Sequence, residues 1–151
     1  MTLYALAARY IGEVLEIHGS AHNHPLIQWW LMLCGFGADS ADEVPWCSAF
    51  LVGQAWTLKL PRSRSAAARS WMTIGASVPL RSAQVGFDVV VLKRGKAPQP
   101  GPEVLAAPGH VGLFAGWDGP DKIKVLGGNQ SDGISVASFA VADVLAIRRL
   151  A

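Results

Sequence analysis

Charge is scarce in this sequence. Only 16% of its 151 residues are charged and 51% are hydrophobic, whereas an average soluble chain is roughly a quarter charged. A disordered chain needs the opposite balance, because it stays unfolded for want of apolar surface to bury. Lys and Arg number 13 against 11 Asp and Glu, a net charge of +2 with no basic run. Sequence-independent binding to nucleic-acid phosphates therefore has no visible source. Cysteine is scarce as well, and Cys34 and Cys47 alone cannot build a disulfide scaffold. No long apolar run is present. The longest, residues 26–37, contains Gln28 and falls short of the roughly 20 residues that span a bilayer. The start of the chain has no basic region followed by an apolar core and a small-residue cleavage site, so it reads as an amphipathic helix rather than a secretory leader. The expectation is one core-forming domain over residues 1–151, monomeric, with no stable membrane insertion.

Leu3, Leu6, Ala7, Tyr10, Ile11, Val14 and Leu15 follow the spacing of one helical face, which predicts a helix over 3–15 with Gly19 as its stop. Residues 26–34 predict a second helix, opened by Pro25 and apolar nearly all round, hence buried on most sides. Pro45 pre-sets the first turn of a third helix running to about Leu58, and a short helix is expected at 66–72. After Gly75 the pattern changes. Strands are expected at 87–92, 110–115, 122–126, 134–139 and 145–150, separated by Gly-rich turns. The stretch 95–109 carries four of the nine prolines, which cannot donate to a sheet ladder, and reads as a surface loop. Helices first and an antiparallel sheet second make an α+β fold.

Chemistry is concentrated in Pro45-Trp46-Cys47-Ser48-Ala49-Phe50. Cys47 falls in the first turn of a helix, where free N–H groups and the positive end of the dipole favour an anion. The thiolate is the reactive form of cysteine, and such a position lowers the thiol pKa below about 8.5. Cys47 is thus suited to be a nucleophile, although a cysteine can equally fill a core gap. A cysteine nucleophile needs a base, usually a histidine, oriented by a third polar group. His110 opens the apolar strand after Pro108-Gly109, either facing a cleft or capping the strand. A hairpin through the 116–119 turn returns the chain beside His110 near Gly127, Gly128 and Asn129. Asn129 is then placed to accept from one ring nitrogen, or simply tolerates positive φ in a turn.

With these residues in view, Pro45-Trp46-Cys47-Ser48-Ala49-Phe50 resembles the nucleophile motif of the papain-like NlpC/P60 and CHAP cell-wall hydrolases. Gly109-His110-Val111-Gly112 resembles their histidine motif, and Gly127-Gly128-Asn129-Gln130-Ser131 their third-residue strand. The three occur in the family's order, and nearly the whole chain fits a small single-domain, often phage-encoded group. The resemblance implies a papain-like fold, no cofactor or metal, and a cysteine peptidase or amidase acting on peptidoglycan. Cys47 would attack an amide carbonyl, His110 would accept its proton, and Asn129 would orient the imidazole. The backbone N–H groups of Cys47 and Ser48 would hold the oxyanion. Many CHAP members carry an acidic residue where this chain has Gly127, so Gln130 and Asp132 are alternates for the third position, and Trp46 either walls the cleft or belongs to the core. The setting it implies is a phage endolysin for cell wall lysis, made in a bacterial cytoplasm and reaching the wall through a holin, a virion tail or a secretion machine. Two other readings are an exported antibacterial amidase effector with the same chemistry, and a non-catalytic phage structural or wall-binding protein that keeps the fold.

The remaining candidates have plainer readings. Cys34 is expected as a core thiol. His18, His22 and His24 are close together without metal-ligand spacing, and Asp39, Asp42 and Glu43 lack the loop pattern of a calcium site. Trp29, Trp30, Trp56 and Trp71 fall in helices and are expected in the core, whereas Trp117 lies in a turn. Arg62, Arg64 and Arg69 read as a solvated basic face.

Overall fold

A computed structural model describes residues 1–15, 24–37, 45–95 and 98–151. Three helices come first: α1 (Leu3–Ala8), α2 (Pro25–Leu33) and α3 (Cys47–Thr57). Six strands follow: β1 (Ala76–Val78), β2 (Asp88–Lys93), β3 (Gly109–Trp117), β4 (Lys122–Gln130), β5 (Gly133–Ala140) and β6 (Val144–Arg149). They form one sheet in the order β1-β6-β2-β3-β4-β5, antiparallel at every pairing. The fold is α+β.

Both faces of the sheet are covered, which is why β2 reads as an unbroken apolar run rather than an alternation. Val89 and Val91 face the helices together with Val111, Leu113 and Leu126. Val90 and Leu92 face the opposite side with Phe114, Ile123, Val125 and Ile147. The helix against the sheet is α3, buried at every residue from Cys47 to Ala55. It is embedded rather than one-faced. Aromatic rings wedge it in place: Trp30 of α2 meets Phe50 edge-on at 5.2 Å and stacks on Trp46 at 6.3 Å. Gly53 makes room for Trp30, because a Cβ there would lie 2.1 Å from its Cδ1.

Several elements differ from the sequence expectation. The first helix stops at Ala8 rather than continuing to Leu15. Gly12 turns with φ +75°, its N–H donates to the Ile134 carbonyl, and Leu15 bridges to Gly133 beside β5. Helix α2 buries only Ile27, Trp30 and Leu31, an i, i+3, i+4 stripe, and shows Trp29 and Met32 to solvent. Trp29 there meets Trp56, also exposed, edge-on, so neither is a core residue. The segment expected as a short helix is a 3₁₀ turn, Ala68–Thr73. Strand β1 has no counterpart among the sequence expectations; at three residues it is too short to show a period. The expected stop at Gly19 lies outside the described residues. No helix among the described residues is long and apolar enough to cross a membrane.

Candidate active site

Cys47 is the first residue of α3, and Trp46 before it supplies no side-chain cap. The first-turn N–H groups are therefore left for another acceptor. The backbone N–H groups of Val111, Ser48 and Cys47 each favour the Cys47 thiolate, and Val111 is the residue after His110. The Ser48 hydroxyl is not part of this surface: it donates to the Ser65 carbonyl at 2.6 Å and accepts from the Trp71 indole at 2.8 Å. Trp46 is fully buried, stacked on Trp30 and pressed against Gly128, where a Cβ would come within 2.6 Å of the ring. It is a core side chain and does not wall the cleft.

His110 is the second residue of β3, with its ring stacked on Phe139 and its Nε2 hydrogen-bonded to Gln130 Oε1 at 2.9 Å. The third polar group at the imidazole is thus Gln130, not Asn129. The cause is a bulge. Between the pairs Gly127–Ser135 and Gln130–Gly133, β4 advances three residues while β5 advances two. Asn129 absorbs the extra residue with φ +57°, which Asn tolerates better than most side chains. Gln130 is thereby swung beside Gly127, where a Cβ would lie 2.5 Å from Gln130 Oε1 and 3.2 Å from His110 Nε2. The Gln130 amide fills the space that a side chain at 127 would take. Asp132 sits exposed in the following turn with φ +59°.

The network fixes both amide and tautomer. Gln130 Nε2 donates to the carbonyls of Ser135 at 2.8 Å and Val125 at 3.3 Å, so Oε1 must face the histidine. A carbonyl oxygen accepts only, which assigns the proton to His110 Nε2 and leaves the Nδ1 lone pair free.

Among the described residues no hydrogen bond joins the Cys47 sulfur to the His110 ring. Burial pushes the Cys47 thiol up; the N–H of Val111, then Arg94, then the N–H groups of Ser48 and Cys47 pull the other way. Burial pushes His110 down against the raising effect of Gln130, and Arg94 adds to the lowering. Both shifts favour the neutral forms, thiol and imidazole. At Cys47 burial acts against the lowering expected from the helix start. Alkylation of Cys47 by iodoacetamide, followed by peptide mapping, is accordingly expected to keep climbing through roughly pH 8.5. A plateau below that pH would restore the dipole argument. Cys34 is half-buried, and burial pushes its thiol up to about 11. Both thiols are free.

Two arginines carry roles their sequence context hid. Arg94 follows β2 and borders two adjoining hollows. One, of about 330 Å³, is lined by His110, Asn129, Gln130 and Phe139. The other, of about 340 Å³, is lined by Cys47, Ala68, Pro108 and Gly109. Arg69, expected on a solvated face, is fully buried and donates to four carbonyls of the proline-rich loop: Pro100, Gly101, Val104 and Pro108. The signal for it was its setting between Ala66-Ala67-Ala68 and Trp71, an apolar stretch with no reason to hold a cation at the surface.

The metal candidates add nothing to the site. His24 caps α2, its Nδ1 accepting from the Leu26 N–H at 3.2 Å. His18, His22, Asp39, Asp42 and Glu43 lie outside the described residues, and among the described residues no group of three or more His, Cys, Asp or Glu converges. Trp117 is exposed in the β3–β4 hairpin against Phe114. No family model matches the chain, and neither a curated protein nor a solved structure matches it.

Proposed function

We propose that the protein is a cysteine-dependent amide hydrolase of the papain-like NlpC/P60 and CHAP kind, acting on peptidoglycan. One observation carries the chemistry: the Gln130 carbonyl accepts from His110 Nε2, leaving Nδ1 as a base, while Cys47 opens an uncapped helix beside the next residue of the same strand. Peptidoglycan as the substrate rests on the resemblance of the three sequence motifs alone.

In the reaction, Cys47 Sγ attacks the amide carbonyl as its proton passes to His110 Nδ1. Because burial favours the neutral forms of both groups, we take the transfer to accompany attack instead of preceding it. The N–H groups of Cys47 and Ser48 stabilise the oxyanion of the tetrahedral intermediate. Its collapse breaks the C–N bond, and the leaving amine takes the proton from His110. Water, deprotonated by His110, then hydrolyses the thioester and regenerates the thiol. Gln130 holds the ring in the required tautomer throughout, a positioning role. The bond cut is either the glycan–peptide junction, as in an amidase, or one within the peptide, as in an endopeptidase. A phage endolysin is the setting we favour, and an exported effector would use the same steps.

A non-catalytic wall-binding or virion protein is the second reading. It is favoured by the absence of a sulfur–imidazole hydrogen bond and by the raised thiol. Digestion of purified peptidoglycan by wild type and Cys47→Ala, with mass spectrometry of the soluble fragments, decides between the two. The hydrolase reading expects fragments from wild type only, their masses identifying the bond. No fragments from walls of several chemotypes would move the binding reading to the front.

A further inference from the structure

Lys93 and Arg94 close the end of β2 at the cleft. Among the described residues neither forms an ion pair, although Asp88 at the other end of the same strand is gripped by Arg149 at 2.7 Å from both Nε and a terminal nitrogen. Among the described residues, Arg94 alone lines both the hollow holding His110 and the hollow holding Cys47. Lys93 lines the His110 hollow with it, among Asn129, Ser131 and Ser138. A substrate lying across the cleft must pass this guanidinium, a planar fork of donors suited to a carboxylate. Among the described residues that line the two hollows, none is an acid that competes for it.

We propose that Arg94, assisted by Lys93, is an anion-binding subsite that takes a carboxylate on a residue flanking the scissile amide, and so selects free-acid over amidated peptide substrates. The inference rests on the hydrolase reading for its substrate, but the subsite itself does not. Arg94 is exposed and Lys93 half-buried; both would repel an ammonium and gain little from a neutral sugar, whereas a carboxylate can pair with both. The field of Arg94 also reaches the Cys47 sulfur, so the same side chain favours the thiolate once substrate has displaced water.

Two measurements test this and fail separately. In the first, Cys47 is alkylated with iodoacetate and with iodoacetamide at one pH. The ratio of the two rates cancels the thiolate fraction and reads only the attraction of the carboxylate. The ratio is expected to drop by about threefold or more in Arg94→Ala, further in Arg94→Glu, and in wild type with rising salt. A ratio unchanged in both variants overturns the subsite. In the second, kcat/KM is compared on two muropeptides differing only in one carboxylate or carboxamide. Wild type is expected to prefer the acid by about 10- to 100-fold and Arg94→Ala to lose that preference. Equal use of acid and amide by wild type overturns the selectivity. If neither muropeptide is cleaved while the alkylation ratio still depends on Arg94, the hydrolase reading fails and the anion subsite stands.

Discussion

Gln130→Leu is expected to lower the rate of peptidoglycan digestion by about 10²- to 10⁴-fold, the contribution of a correctly placed general base. Leucine fills the same space but cannot accept from His110 Nε2, so the ring is free to flip or to place its proton on Nδ1, where it cannot act as base. The carbonyls of Ser135 and Val125 lose their donor as well, so thermal melting must accompany the assay to separate misplacement from unfolding. The contrast is Asn129→Gly. Asn129 has φ +57° and no bond to the imidazole, glycine adopts that backbone freely, and activity is expected to stay within about twofold. A collapse in Asn129→Gly with little effect in Gln130→Leu would return the third role to Asn129. Gln130→Glu adds a sign to read. A carboxylate facing His110 favours imidazolium and raises its pKa. Because the base must be neutral, the acidic limb of the pH–rate profile is expected to move to higher pH.

Arg69→Met is expected to destabilise the fold by about 3–5 kcal/mol, the range for breaking a buried charged network. At roughly 2–4 °C per kcal/mol for a chain of this size, the melting temperature should fall by about 6–20 °C. Methionine replaces the stem but leaves the carbonyls of Pro100, Gly101, Val104 and Pro108 without their donors. Prolines cannot donate, so a loop rich in them has few internal hydrogen bonds of its own, and the guanidinium supplies the missing ones. Arg69→Lys is expected to recover only part of the loss, since an ammonium cannot span acceptors arranged around a planar fork. Arg64→Ala, on an exposed side chain, should shift stability by about 0.5 kcal/mol or less. Equal melting temperatures for Arg69→Met and wild type would mean that the loop holds itself. Activity should fall with the loop in any case, because Pro108 and Gly109 line the hollow at Cys47.

The sheet was the legible part of the fold. Apolar runs with Gly-rich breaks mark β2 to β6 within a few residues, and Cys47 at a helix start follows from Pro45 and the change of pattern there. The hairpin argument also brought 127–129 back to His110, where Gly127 indeed lies against the ring. What was illegible depends on events between elements. A bulge of one residue exchanges the face presented by everything after it, and no local pattern separates Asn129 from Gln130 as the group that reaches the ring. Arg69 was misplaced and Trp46 left open because composition assigns charge outward and does not place aromatics, while partners distant in sequence decided both. Trp29 and Trp56 fail the other way, apolar side chains left outside because α2 and α3 have already buried their other faces. The thiol shift turned on burial, which the sequence does not measure.

The strand order has a consequence for how the chain assembles. Strands β2 to β5 form a meander in chain order and can zip from one hairpin to the next. The order then doubles back. Strand β6 comes after all the others yet inserts between β1 and β2, pairing Asp88 with Arg149 across 61 residues and Ala76 with the same Arg149 on its far side. Until β6 arrives, β2 is an open edge and β1 has no neighbour. Closure over such a distance is the slow kind of folding step, and it comes last. The strands that bear His110 and Gln130 are thus complete before the sheet is, so a nascent or truncated chain can present a formed meander with an unpaired β2 edge, the form most prone to join a second copy of itself.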